Sequence, residues 1–223
     1  MIKMVCGLRD PENIRAVSLL PIDMIGFDFS PNSLRYVNMI PSHAGIIPDR
    51  LGEKAKSSIL SNKLKRVGVF VDEMPQSVVT RVYNFHLDYV QLNGDEPVTY
   101  IDNLRSTIVP DIRQFFKIIK TIKIDSAEDL KSAEQYEGHA DILLFEVNVE
   151  KDTREEFVCD VLKCYDGKLP FVLDFSIEPK DAEFVKGLTH TKLLGVNLNT
   201  GFEIKPGVIS VATLNDFVRA ISQ

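Results

Sequence analysis

One kind of place recurs in this chain: a short apolar run that ends on a residue able to do chemistry. The first such run, residues 3–9, reads Lys-Met-Val-Cys-Gly-Leu-Arg. Met4 and Val5 suit a buried strand, Cys6 stands where it ends, and Gly7 lets the backbone turn behind it. Asp10 and Pro11 follow as an N-cap and a proline at the first helical position. Ligands of α/β folds sit at the carboxyl ends of parallel strands, so a thiol at this handover is a candidate acid, base or nucleophile. Cysteine is also among the most buried residue types and packs as a small hydrophobe, which is the competing account of Cys6. The residues that close the later runs are Arg35, Asp72, Asn93, Lys123, Glu146, Asp174 and Asn197. A ring of one thiol, carboxylates, a guanidinium and amides suits acid–base work on a polar small molecule. Solvated loops make strand ends polar in any fold. That accounts for each residue singly better than for a Cys and a Glu on opposite arcs of one ring.

The elements that must position these residues alternate along the chain. Strands are expected at residues 4–5, 24–27, 65–71, 89–92, 115–124, 141–145, 170–173 and 192–198. Helices are expected from Asp10 through Leu20, at 49–60, 75–83, from Ser126 onward, and at 155–164, 179–185 and 213–221. Residues 96–113 contain Pro97 and Pro110 and read as a loop with room for one turn of helix. Cys159 and Cys164 lie on a helix and read as packed core thiols. Strands follow one another at about 20 to 30 residues, close to the length of a βαβ unit. Eight such units close naturally into a (β/α)₈ TIM barrel, here a single domain over residues 1–223. A doubly wound open sheet is the other arrangement of such units. It usually carries a G-x-G-x-x-G turn after the first strand, which Cys6-Gly7-Leu8 does not supply.

Composition narrows the function classes. The chain has 223 residues, 44% of them apolar, with a net charge of −6, so it can bury a large core but lacks the basic stripe of a nucleic-acid binder. Its cysteines, Cys6, Cys159 and Cys164, are few and odd in number, which implies no disulfide framework and suits a reducing, cytoplasmic setting. No apolar run approaches the ~18 residues of a membrane span, and Lys3 and Arg9 break up the N-terminal stretch that a signal peptide would need. The oligomeric state is not legible.

The chain resembles phosphoribosylanthranilate isomerase, a barrel enzyme of tryptophan biosynthesis, nearly end to end. The resemblance is carried by Val5-Cys6-Gly7-Leu8-Arg9-Asp10-Pro11-Glu12-Asn13-Ile14, by Ile25-Gly26-Phe27 with Ser33-Leu34-Arg35-Tyr36-Val37, and by Val67-Gly68-Val69-Phe70-Val71-Asp72. Further along it is carried by Val90-Gln91-Leu92-Asn93-Gly94-Asp95-Glu96, Gly195-Val196-Asn197, Thr200-Gly201-Phe202-Glu203 and Pro206-Gly207. Their order and spacing are specific where each piece alone is weak. The resemblance implies a cofactor-free, metal-free Amadori rearrangement of a phosphorylated small molecule. In it a carboxylic acid protonates the ribose ring oxygen, the ring opens to a Schiff base, and a thiolate removes the C2′ proton. It implies Cys6 as general base, Glu146 at the position of the general acid, and Arg35 as the grip on the anthranilate carboxylate. It also implies Asn93, Asn197, Asn199, Thr200 and Gly201 as substrate-binding positions, with the phosphate held at the turns after strands seven and eight.

The chain departs from the family pattern at several of these places. The acid is Glu146 where the family has Asp, Asn93 replaces a His, and Asn197 replaces an Asp. Asn148-Val149-Glu150-Lys151-Asp152-Thr153 stands where a Gly-Gly-Thr-Gly loop is expected, and Asp174-Phe175-Ser176 replaces a Gly-Gly turn. The Phe175 ring is expected to block close approach of a phosphate, and Asp174 to repel it by about 3 kcal/mol at ~5 Å and an effective dielectric of ~20. Two readings follow: a divergent isomerase, or a barrel paralogue with weakened or lost activity that acts as a small-molecule binding or scaffold protein.

Overall fold

A computed structural model describes residues 1–37 and 64–222. Eight parallel strands close into a barrel in chain order: β1 (Ile2–Val5), β2 (Met24–Asp28), β3 (Lys65–Phe70), β4 (Tyr89–Leu92), β5 (Lys117–Ile124), β6 (Ile142–Val147), β7 (Phe171–Asp174) and β8 (Leu193–Leu198). The seam is β1 against β8, with Met4 opposite Asn197 and Val5 opposite Leu198. The (β/α)₈ expectation therefore holds and the open sheet does not.

The period of two along each strand divides the core into two. Met4, Cys6, Met24, Val67, Val69, Ile119, Ile142, Leu144 and Val172 point into the barrel. Val5, Ile25, Phe27, Leu143, Phe145, Leu173, Val196 and Leu198 point outward under the helices. Burying each such side chain contributes about 1.5–3 kcal/mol, so the apolar runs alone commit these segments to a wall buried on both faces.

Helices α1 (Pro11–Val17), α2 (Pro75–Phe85), α3 (Val98–Asp111), α4 (Arg154–Cys164), α5 (Ala182–Gly187) and α6 (Val211–Ala220) cover that wall. The α1 start is as expected: Asp10 Oδ1 accepts from Asn13 N at 2.8 Å, with Pro11 at the first helical position. Asn13 also bonds both backbone groups of Ile209, its Nδ2 donating to the carbonyl and its Oδ1 accepting from the N–H, each at 2.8 Å. The helix expected at 49–60 lies outside the described residues.

Two expectations are corrected. Residues 96–113 are not a loop, because α3 spans 14 of them. Ile101, Leu104 and Ile108 fall on one buried helical face. Pro97 serves as the N-cap, and Pro110 falls in the last turn, where the helix ends before its ring can interrupt a longer run. Cys159 is half-buried and Cys164 exposed, not packed core thiols, since the buried face of α4 is Arg154, Val158, Val161 and Leu162. The helix start expected at Ser126 is present, as a 3-10 run, Ala127–Tyr136, with Ser126 as its N-cap and Asp129 Oδ2 accepting from Ser126 N at 2.8 Å. A hairpin of β9 (Glu203–Lys205) and β10 (Val208–Ile209), not foreseen from sequence, follows β8.

Candidate active site

At the carboxyl ends of the strands a cavity of about 160 Å³ opens, lined by Cys6, Arg35, Asn93, Glu146, Asp174, Asn197 and Asn199 among others. Six of the eight ring residues expected from sequence thus meet around one space, as does Asn199. Asp72 and Lys123 do not line it. Asp72 instead holds the start of the next loop, its Oδ1 accepting from Asp95 N at 2.8 Å. Thr200 and Gly201 do not line it either. Thr200 donates from N and Oγ1 to Asn199 Oδ1, and Gly201 lies so close to the turn after β7 that a Cβ would come within 2.0 Å of Ile177 O. A larger apolar groove at the opposite end, bounded by Met1 and residues 188–194, carries no carboxylate or thiol among its lining residues.

Cys6 sits one residue beyond β1, its N–H donating to Leu198 O at 3.3 Å across the seam. The thiol rests on Gly26 of β2, where any Cβ would lie 2.2 Å from Sγ. Gly7 takes φ 82°, a conformation glycine adopts without strain, and the Arg35 stem packs where its Cβ would be. Burial first, then the charges of Asp174 and Asp28, push the Cys6 thiol well above the usual thiol range.

Glu146 faces inward from β6, two residues beyond Leu144, and its Oε2 is buried without a protein partner. Burial, and next the Asp174 charge, raise its pKa, while Lys123 opposes them. Glu146 is therefore biased toward the protonated acid.

Asp174 is also turned inward, two residues beyond Val172. Its Oδ2 accepts from Asn197 Nδ2 at 2.7 Å and Asn199 Nδ2 at 3.0 Å, and its Oδ1 from Ser176 N at 3.2 Å. Burial raises its pKa against the lowering effect of those three donors.

Phe175 does not obstruct the mouth. Its ring is fully buried on the outer side of the wall, edge-on to Phe184 and beneath the Arg154 guanidinium. Strand alternation sends it outward because its neighbour Asp174 points in. Ser176 then adopts φ 55°, the left-handed conformation a glycine would take without strain.

Arg35 presents its Nε and Nη2 to Glu203 of the hairpin in a bidentate pair, both at 2.6 Å. Glu203 Oε1 also accepts from Gly207 N at 3.0 Å. On β4, Gln91 Nε2 donates to Asn93 Oδ1 at 2.9 Å and Thr121 Oγ1 at 3.1 Å, leaving Gln91 Oε1 buried without a partner.

Asp28, Gln91 and Glu203 are the residues that reading one position per strand end passes over. Asp28 and Gln91 were reachable from strand period, being two residues from Gly26 and Asn93. The pairing of Glu203 with Arg35 carried no local signal, since the two meet across 168 positions. Among the described residues no cluster of His, Cys, Asp or Glu could hold a metal ion, and no helix is long and apolar enough to cross a membrane.

Comparison with known proteins adds a second line. A family profile described as N-(5'phosphoribosyl)anthranilate (PRA) isomerase matches residues 4–220. The N-(5'-phosphoribosyl)anthranilate isomerase of Parabacteroides distasonis is 34% identical over 99% of this chain and 93% of its own length. That of Phocaeicola vulgatus is 31% identical over 100% and 98%. A crystal structure of phosphoribosyl anthranilate isomerase in complex with reduced 1-(o-carboxyphenylamino)-1-deoxyribulose 5-phosphate superposes with a TM-score of 0.75. It covers 100% of this chain and 99% of that one at 20% identity, a likeness of fold.

Proposed function

The chain belongs to the N-(5'-phosphoribosyl)anthranilate isomerase family, an isomerase of tryptophan biosynthesis, and we propose that its barrel mouth runs the Amadori rearrangement with Glu146 as acid and Cys6 as base. Glu146 gives its proton to the ribose ring oxygen as the C1′–O bond breaks, and the anilino nitrogen takes up the positive charge as an iminium. The Cys6 thiolate removes the C2′ proton, and those electrons form the C1′–C2′ double bond and neutralise the nitrogen. Cys6 then returns its proton to C1′ while the enol O–H proton passes to the Glu146 carboxylate. The product is a ketoamine, and both side chains are restored.

The observation that carries this reading is the pairing of Cys6 with a carboxyl biased toward its acid form around one cavity. Cys6 enters the cycle as the thiolate, its proton released to solvent against burial and two nearby carboxylates, and the iminium supplies the opposite charge that favours the thiolate. Arg35, with one edge of its fork taken by Glu203, offers Nη1 to the anthranilate carboxylate. The phosphate is assigned to the turns after β7 and β8, the usual phosphate position in barrels.

The test is loss of phosphoribosylanthranilate fluorescence on turnover. Cys6→Ala is expected to lower kcat by about 10²–10⁴-fold, and Glu146→Gln by a similar factor because an amide cannot protonate the ring oxygen. Wild-type protein with no turnover above buffer would overturn the reading.

A further inference from the structure

The steps above leave one buried ionisable group of the mouth unused: Asp174, 8% exposed and facing the same cavity as Cys6 and Glu146. Its hydrogen bonds are one-sided. A carboxylate can only accept, so both Asn197 and Asn199 must turn their NH₂ groups toward it, at 2.7 and 3.0 Å. For Asn199 the remaining oxygen is satisfied by Thr200. For Asn197, itself 3% exposed, it is not: Oδ1 is buried with no protein partner. A buried acceptor left unmatched costs about 1–3 kcal/mol and awaits a donor.

We propose that Asp174 is a positioning residue that locks the Asn197 amide so that its Oδ1 accepts a hydrogen bond from the substrate. This rests on the isomerase reading of the mouth. The donors next to the reacting carbons of an N-glycosylated anthranilate are the anilino N–H and the 2′ hydroxyl. As the iminium forms, either becomes a stronger donor, and an oriented carbonyl dipole stabilises the state that follows better than the one before it. Asp174 acts through this amide and through its own charge, which faces the same cavity as Cys6 and Glu146 and raises both.

The experiment compares four proteins in the turnover assay, each first checked for a wild-type circular dichroism spectrum. Asp174→Asn puts an amide, which can donate as well as accept, where an acceptor-only carboxylate fixed Asn197, so that side chain is free to turn, and kcat is expected to fall by about 10²-fold with KM changed less than threefold. The double variant D174N/N197D exchanges carboxylate and amide across the same two strands. It again leaves an acceptor oxygen facing the cavity and a carboxylate beside Cys6, and is expected to recover at least tenfold over the single variant. Asn197→Ala removes the oxygen and is expected to match Asp174→Asn without loss of fold. The pH profile separates this from a packing role: loss of the Asp174 charge moves both limbs of kcat/KM to lower pH, because that charge raises both flanking groups.

Full activity in Asp174→Asn, or a double variant no better than the single, overturns the inference while leaving the isomerase reading intact. If Asp174→Asn fails to fold, wild-type kcat in Asn197→Ala overturns it by itself. Absence of turnover in the wild type overturns the isomerase reading and this inference with it.

Discussion

Two arcs of the mouth are built alike outside the barrel wall and unlike inside it. Behind β3–β5, Lys120 is buried with Glu96 at 3.0 Å and also donates to Leu92 O and Gly94 O, while Glu96 Oε1 accepts from Asp72 N and Gly94 N. Behind β6 and β7, Arg154 is buried with Asp181 at 2.7 Å and donates to Ser176 O at 3.1 Å, but its Nε has no partner. Inside the wall the first arc shows neutral groups, Gln91, Asn93 and Thr121. The second shows Glu146 and Asp174, neither with an ion-pair partner among the described residues. Charges that brace the rim are thus neutralised by the protein. The carboxyl groups that face the cavity are not ion-paired among the described residues, and the iminium of the proposed reaction would bring the opposite charge to them.

The difference can be broken from the outside. Glu96→Ala strands the Lys120 ammonium in a dry site and is expected to destabilise by about 3–5 kcal/mol in urea unfolding. Asp181→Ala unpairs one backbone N–H, that of Glu178, where Glu96→Ala unpairs those of Asp72 and Gly94, so a smaller loss, about 2–3 kcal/mol, is expected. It should also raise KM more than Glu96→Ala does at a temperature where both are folded, because it loosens the turn after β7. Equal losses of stability with unchanged KM in both variants would show that the two braces are equivalent.

The inner difference predicts a pH signature. Glu146 and Asp174 have folded pKa values raised by burial, so each binds its proton more tightly folded than unfolded. The stability they contribute is present below the ordinary carboxyl pKa and is lost as pH rises through the raised one. Thermal midpoints across that window should fall with rising pH less steeply in Glu146→Gln than in wild type. Parallel slopes would deny that Glu146 is shifted. The smallest effect is expected for Cys164→Ser, an exposed position on α4 where the change should stay within about 0.5 kcal/mol and leave kcat untouched.

The barrel was readable because eight apolar runs, each buried on both faces, leave few alternatives for their packing. Residues 96–113 were misread because two prolines outweighed the spacing of Ile101, Leu104 and Ile108. The prolines turned out to mark the ends of α3. Most of the mouth was readable for the same reason as the barrel: a strand end fixes where its last inward side chain points, which placed Cys6, Asn93, Glu146, Asp174 and Asn197. Phe175 was misread because its direction follows from Asp174 pointing inward, and a turn taken by itself does not reveal that alternation. The Arg35–Glu203 pair depends on a hairpin beyond the eighth strand, and no local pattern announces a partner that distant.

The seam between β1 and β8 gives the enzyme a built-in clock. Cys6 follows the first strand and Asn197 belongs to the last, and Asn13 grips Ile209 just beyond them across 196 positions. Contacts of such sequence separation form late, after the loop-closure entropy of nearly the whole chain has been overcome. A nascent or refolding chain can therefore acquire most of its secondary structure while the thiol still faces an open edge. Regain of turnover during refolding would time the joining of the two ends of the chain, a step that spectroscopic probes of helix content pass over.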